Sequence, residues 1–357
     1  MNQVIATRSD ITAKAWPFYG LLISLFVLLV GLFFAALCLG SVPLSIQAVW
    51  QALLSSTPQN SESNILWQLR LPRSLLAIVV GVHFALAGLI LQAVIRNPLA
   101  DPSILGVNGG ASLAIVLCLL VFDYVQLQVF NLSDSRFNFV WLPAIALLGG
   151  TLATALVLKL SWRQQLQPNQ LALNGVAIGA VLNALVMWAI LAWGGNRTET
   201  SLIWLAGSLY GRDFSQLLLL LPWTFIGVFG CFLLLKHLSI LQLDSDAAHT
   251  LGLNVKRWRL TSLFIAVALA ASATAVTGPL GFVGLIVPHF AKVLLNRLGL
   301  GISLPHLMVV CMLAGATLTL AADIASRTLI SPLEIPTGTL TTLMGIPILL
   351  LLIRRQS

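Results

Sequence analysis

The sequence predicts an all-α, polytopic membrane protein with about ten transmembrane helices and both termini cytoplasmic. Three observations carry this reading. Hydrophobic residues make up 58% of the 357 and the mean hydropathy is +0.97. Charged residues are only 8%, against about 25% in a soluble domain. The apolar residues also fall into blocks close to the ~20 residues that a helix needs to cross a bilayer. No separate soluble domain fits between the blocks, so residues 1–357 are read as a single transmembrane domain.

The first block, 17–39, is longer than a signal-peptide core, and no small-x-small cleavage site follows it. Cys38 follows Leu37, where a lipoprotein site would want a small residue, so a retained span is expected. The further blocks are 74–95, 104–122, 139–160, 171–193, 217–237, 260–278, 280–295, 304–325 and 336–353. Small residues at helical spacing (Ala77, Gly81 and Ala85; Gly106 and Gly110; Gly175 and Gly179) predict close helix packing in lipid. The seventh and eighth blocks are separated only by Thr277-Gly-Pro-Leu-Gly281, which predicts a tight turn close to the membrane surface. Arg70-Leu-x-x-Ser74-Leu75 and Arg259-Leu-x-Ser262-Leu263 open spans of opposite direction, a faint sign of an inverted repeat.

An even span count puts both termini on one side. Of the nineteen Lys and Arg, only Arg70, Arg73, Arg136, Arg197, Arg212 and Arg327 fall on the opposite side, and the other thirteen lie with the termini. The positive-inside rule makes that side cytoplasmic. The net charge of +8 is then an orientation signal, and no nucleic-acid partner is implied. The cysteines Cys38, Cys118, Cys231 and Cys311 all sit in apolar runs without metal-ligand or disulfide spacing, as small core residues do.

The stretch 242–259 is a polar island flanked on both sides by apolar blocks. Asp244 or Ser245 is placed to cap a short helix, Ala247 and Ala248 favour it, and Gly252 suits the left-handed residue that closes it. Leu243, Ala247 and Leu251 fall at i, i+4 and i+8, on one side of such a helix, whereas Asp246 and Thr250 fall on the solvent side. A plain connecting loop and a docking surface for a soluble partner both fit this pattern.

Catalytic chemistry is missing from the sequence. It has no phosphate-binding Gly-rich loop ending in Lys-Ser/Thr, no His-Glu-x-x-His metal motif and no nucleophile–base spacing. His83 is the only ionisable residue deep in the second block, and Asp323 has a helical partner in Arg327 four residues on. His83 reads more readily as a packing histidine than as a proton relay. Ion-coupled carriers need ionisable or carbonyl-lined sites at mid-depth, and their scarcity disfavours an ion-coupled secondary carrier. Energy is expected to enter from outside the membrane. Arg70, Arg73 and Arg327 stand on the side that should be poor in arginine, where guanidinium groups suit the carboxylates of a partner. On the inner side, Pro98 and Pro102 in Arg96-Asn-Pro-Leu-Ala-Asp-Pro102 break the chain between two spans.

These residues carry a resemblance. Arg70-Leu-Pro-Arg-Ser74, Gly88 through Gln92, Arg96 through Pro102, Leu105-Gly-Val-Asn-Gly-Gly110 and Trp204-Leu-Ala-Gly-Ser208 match a known pattern in order. So do Ala248 through Gly252, Gly278 through His289, Ala322-Asp323 with Arg327, and Glu334 through Gly338 with Gly345-Ile-Pro347. From about Leu69 onward the chain resembles the FecCD-type permeases, membrane subunits of ATP-binding-cassette (ABC) importers for ferric siderophores, haem and cobalamin.

The resemblance implies a non-catalytic subunit in the inner (plasma) membrane of a bacterium. It would work with a cytoplasmic ABC ATPase dimer, a periplasmic or surface substrate-binding protein and a second permease subunit, homo- or heterodimeric. It also implies that Leu243, Asp244, Ala247, Leu251 and Gly252 belong to the loop that seats in the ATPase. Arg70, Arg73 and Arg327 would receive carboxylates of the binding protein, Asn97 and Leu99 would narrow the inner end of the pathway, and 171–193 would line it. No cofactor or metal is expected on this chain; ATP and Mg belong to the ATPase. The cargo implied is an iron–siderophore complex, with haem or cobalamin as the alternative.

Overall fold

In the computed structural model, the described residues are 8–54, 61–124, 141–164, 166–193 and 198–354. Arg136, Arg197, Arg355 and the first two residues of the 139–160 block lie outside them. Among the described residues every regular element is helical. Helices α1 (Arg8–Cys38), α4 (Leu71–Ile95), α6 (Leu142–Ser161), α7 (Pro168–Trp193), α9 (Phe214–Leu241), α11 (Val255–Thr277) and α13 (Leu304–Thr328) contain the seven segments long and apolar enough to cross a membrane. The apolar helices α5 (Val107–Tyr124), α12 (Val283–Arg297) and α14 (Thr337–Arg354) pack among them. Short helices α2 (Ile46–Leu54), α3 (Ser61–Asn64), α8 (Thr198–Leu205) and α10 (Ser245–Thr250) lie in the connections.

Helix α4 is the hub, in contact with α9, α11, α12 and α13. Its Val80, Phe84, Leu86, Ile90 and Val94 are at most 1% exposed. Helices dissolved in lipid gain little from burying apolar surface against one another, so close van der Waals approach has to hold them. The small residues provide it. A Cβ on Gly81 would lie 2.3 Å from the Gly315 carbonyl oxygen on α13, and one on Gly88 would lie 1.8 Å from that of Gly284 on α12. Gly110 meets Gly149 of α6 in the same way. Gly106 differs from the expectation: with φ 75° it closes the 3-10 turn Pro102–Leu105, and Gly175 packs against the Ile104 carbonyl of that turn.

The 277–281 connection also differs. It lies inside the protein, with Gly278 and Leu280 buried. Three stretches quoted above meet there backbone to backbone: Ser208 N–H donates to Thr277 O (2.7 Å), and Gly338 N–H donates to Gly207 O (2.9 Å). A Cβ on Gly207 would lie 2.2 Å from Pro279 O, and one on Gly338 would lie 2.3 Å from Ala206 O. Helix α12 begins only after this turn, so its 15 residues span roughly 22 Å, short of the ~30 Å hydrocarbon core. Thr277 O accepts from Ser208 N–H, Gly278 O from Thr277 Oγ1 and Gly281 O from Val283 N–H. Protein groups thus take up part of the hydrogen bonding of this irregular backbone, as they must where water is excluded.

Helix α9 starts on a capping box: Asp213 accepts from the Ser215 and Gln216 N–H groups while the Gln216 side chain accepts from Asp213 N–H. His83 is fully buried and ties three helices together. A carbonyl oxygen can only accept, so Nδ1, 3.1 Å from Leu269 O, carries the proton, and Nε2 accepts from Thr224 Oγ1 at 2.8 Å. With both ring nitrogens engaged and no ionisable neighbour in reach of them, this is the geometry of a packing histidine.

Candidate functional site

The polar chemistry of the chain gathers at the two ends of the bundle. At one end, α4 closes with Arg96 in the left-handed region (φ 54°, ψ 34°), a conformation uncommon for a residue that is neither Gly nor Asn. From there its guanidinium reaches the 242–254 connection. Nη1 donates to Leu243 O and to Asp244 Oδ1, and Nη2 donates to Ser245 Oγ, each at 3.1 Å. Asp244 occupies the N-cap of α10, and Gly252, at φ 79°, closes the turn after it. The connection is thus a built element, pinned on one side by Ala248, which is 1% exposed, and by Leu253.

Its other side is open. Leu243 is 45% exposed and Leu251 is 62% exposed, with Ala247 exposed between them. Apolar side chains on a short, conformationally fixed helix that its own chain leaves uncovered are suited to fill a groove in another protein. Asp246 and Thr250 are exposed as well, and Thr250 Oγ1 only donates back to Asp246 O (2.8 Å).

Asn97 and Leu99 follow directly on Arg96, and both are exposed. Asn97 Oδ1 accepts from Leu99 N–H at 2.9 Å, which sets an Asx turn, and Asp101 then caps the 3-10 turn by accepting from Ser103 N–H. Burial raises the Asp101 carboxyl above its ordinary value, and its hydrogen bonds from Ser103 oppose that rise. Helix α7 packs against this 3-10 turn at Gly175. Val186, Ala189 and Ile190 of α7 are buried in a cluster with Val116 of α5, while another face, including Val176, Val181, Leu185 and Trp188, is exposed on the isolated chain.

At the opposite end lies a cavity of about 320 Å³ whose lining includes Arg70, Arg73, Arg212, Arg327, Tyr210 and Glu334. Sequence reasoning placed the first, second and fourth of these at a docking surface. The structure shows each of the three at 7% exposure or less and each engaged within the chain. Arg70 donates to the carbonyls of Leu37, Cys38 and Val42, at the end of α1 and just beyond it, where helical partners run out. Arg73 donates to Asp323 Oδ1 (2.8 Å), to Glu334 Oε2 (2.8 Å) and to Ser326 Oγ (3.3 Å). Arg327 lies 3.2 Å from Asp323 Oδ2, the helical pair expected from spacing, and it donates to Ala36 O. That contact is ionic only, since neither atom has a hydrogen bond of acceptable geometry.

The cavity also holds Arg212, whose guanidinium is lowered by burial while Asp213 beside it acts in the opposite sense. The sequence reading did not single out Arg96, Arg212 or Glu334 for a role. Glu334 sits 261 residues from Arg73 and Arg96 sits 147 residues from Leu243, so no local spacing pairs them. Among the described residues no group of three or more His, Cys, Asp or Glu is arranged to hold a metal.

Comparison with known proteins places this geometry in a family. Residues 27–355 match the model of the FecCD transport family. The chain is 37% identical over 341 residues to the Fe(3+)-citrate import system permease protein YfmE of Bacillus subtilis, covering 96% of each chain. It is 35% identical to the Fe(3+) dicitrate transport system permease protein FecD of Escherichia coli, covering 92% of this chain and 96% of that one. It is also 35% identical to the hemin transport system permease protein HmuU of Yersinia pestis, covering 93% and 94%. Among solved structures, an inward-facing conformation described as that of a metal-chelate type ABC transporter superposes with a TM-score of 0.80. It is 29% identical and covers 94% of this chain and 99% of that one.

Proposed function

The chain belongs to the FecCD transport family, as a membrane permease subunit of an ABC importer, and we propose that it forms the pathway for an iron–siderophore complex delivered by an external binding protein. It makes and breaks no covalent bond in its cargo; ATP and Mg are used by a separate ATPase dimer. The observation that carries the reading is the 242–254 element, held in shape by Arg96 while Leu243, Ala247 and Leu251 stay uncovered. A connector has no need of that combination, and a coupling surface requires it. Asp244, which makes no side-chain cap bond to α10 and instead accepts from Arg96, and Gly252, in the closing turn, belong to the same surface.

In this reading the chain crosses the inner membrane ten times, α12 completing its crossing together with the buried 277–281 turn, and both termini are cytoplasmic. A second permease subunit faces the exposed side of α7 across the pathway that α7 lines, and Asn97 with Leu99 forms the inner constriction. Arg70, Arg73 and Arg327 face the binding protein through the cavity they line. Carboxylates of the partner would meet arginines that already have partners, so docking would exchange Glu334 for an external carboxylate rather than satisfy an empty site. Relatives named for ferric citrate and for haem both support a metal chelate as cargo, and the citrate and other siderophore permeases favour the siderophore over haem or cobalamin. An ion-coupled carrier is disfavoured by the position of the charges. Among the described residues, the buried Arg70, Arg73, Asp323 and Arg327 lie at one end of the bundle and the buried Arg259 at the other.

The test is isolation of the chain from membranes in which it is expressed together with a cognate ABC ATPase. Stoichiometric retention of the ATPase, lost on Ala247→Gln, is expected. A chain that transports ferric chelate in vesicles without any ATPase would overturn the reading.

A further inference from the structure

Arg96 bonds to the coupling element, and the 97–105 segment that follows it directly packs against α7. The backbone of Arg96 ends α4 in the left-handed region, which a glycine would adopt without strain. An arginine kept at such a position is bearing a conformational cost for the sake of its side chain. That side chain makes three hydrogen bonds, all to consecutive residues of one element: Leu243, Asp244 and Ser245. Only one of them is an ion pair, and Asp244 is 78% exposed at its side chain, so solvent screens the charge. The fork geometry of a guanidinium, rather than its charge, fixes the element relative to α4.

The chain then continues without slack. The Asx turn at Asn97, the Ala100 N–H bond to Asn97 O and the Asp101 cap leave little free backbone between Arg96 and the 3-10 turn. That turn abuts α7 so closely that a Cβ on Gly175 would lie 1.7 Å from Ile104 O. A displacement of α10 therefore has a continuous, tightly packed route through Arg96 and residues 97–105 to α7.

We propose that Arg96 is a positioning residue for transport: it transmits movement of the ATPase-facing element to the 97–105 segment and to α7. This rests on the reading of 242–254 as the ATPase contact. Its test uses the complete complex of permease and cognate ATPase in nanodiscs, with single-cysteine reporters at Val181 or Leu185 of α7 in a chain lacking its native cysteines. The rate of labelling by a water-borne maleimide is measured without nucleotide and with ATP trapped by vanadate. The expected result is a nucleotide-dependent change in rate that falls at least five-fold in Arg96→Gln and in Arg96→Gly, and is partly restored in Arg96→Lys.

Arg96→Gly relieves the backbone strain while removing the fork. If Arg96 served only to end α4, that variant would behave as the parent does. The proposal is overturned if either Arg96→Gly or Arg96→Gln responds as the parent does, or if the parent shows no nucleotide response although the ATPase is retained. Failure of the ATPase to stay with the parent chain would instead overturn the reading on which the proposal rests.

Discussion

The two ends of the bundle treat their polar and apolar groups in opposite ways. At the Arg73 end, the charged side chains are buried and their hydrogen-bonding capacity is largely spent inside the chain, on Asp323, Glu334 and the carbonyls that close α1. At the Arg96 end, Arg259 is buried against Leu166 O, but Arg96 is spent on holding the 242–254 element. The apolar Leu243, Ala247 and Leu251 of that element remain uncovered on and beside α10. Burial of charge makes the first end expensive to disturb and important for the fold. Exposure of fixed apolar groups makes the second cheap to disturb for the fold and important for a partner. Removing groups at either end should therefore separate stability from function.

The largest effect is expected at Asp323, which is fully buried between Arg73 and Arg327. Asp323→Ala leaves two buried guanidinium groups without their shared carboxylate, and breaking a buried pair in this way costs about 3–5 kcal/mol. The variant should lose most of its yield in detergent and melt well below the parent in a thermal unfolding assay. A variant that melts like the parent but no longer binds the external binding protein would show that the cluster serves docking and not the fold, and the contrast between the ends would collapse.

Next in size is the opposite experiment. At Gly252 a Cβ meets no atom within 4 Å, yet φ is 79°. Gly252→Val is thus penalised by backbone conformation alone, roughly 1–3 kcal/mol confined to an exposed turn. The turn should reshape while the bundle keeps its melting temperature. Retention of the ATPase should fall ten-fold or more in both Gly252→Val and Ala247→Gln. Normal transport with normally coupled ATP hydrolysis in both would make the loop a connector.

A smaller effect sharpens the first end. Glu334 keeps 24% of its side chain exposed while it pairs with Arg73, so solvent weakens the pair. Glu334→Gln should cost no more than ~0.5–1 kcal/mol. If a partner's carboxylate takes the place of Glu334, this variant should bind the binding protein more tightly than the parent does, in a titration at low salt. Weaker binding would mean that Glu334 itself contacts the partner.

Local signals carried much of this. The apolar blocks correspond to the helices, the Asp323–Arg327 spacing became a real pair, and Gly252 took the left-handed conformation expected of it. Hidden from the sequence was whatever depends on how the blocks are arranged in space. The Thr277–Gly281 turn reads as a surface break because Gly and Pro mark turns wherever they lie, and only the Gly207 and Gly338 backbones packed against it put it inside. Arg70, Arg73 and Arg327 look available in one dimension because their partners at Leu37 and Glu334 are far away along the chain. The same distance conceals Arg96, which in sequence is one more cytoplasmic positive charge.

The smallest expected effect sets the scale for the others. Asp246 and Thr250 share α10 with Ala247 but point to solvent, and their one recorded bond is internal to the helix. Exposed substitutions away from caps and cores change stability by no more than about 0.5 kcal/mol. Asp246→Asn and Thr250→Val should therefore leave melting temperature, ATPase retention and transport within about two-fold of the parent. They differ from Ala247→Gln in the side of α10 they alter, not in their distance along it. Equal damage from all three would mean that the partner envelops the whole helix. Damage from Ala247→Gln alone would confine the contact to the stripe of Leu243, Ala247 and Leu251, the side that the chain itself leaves open.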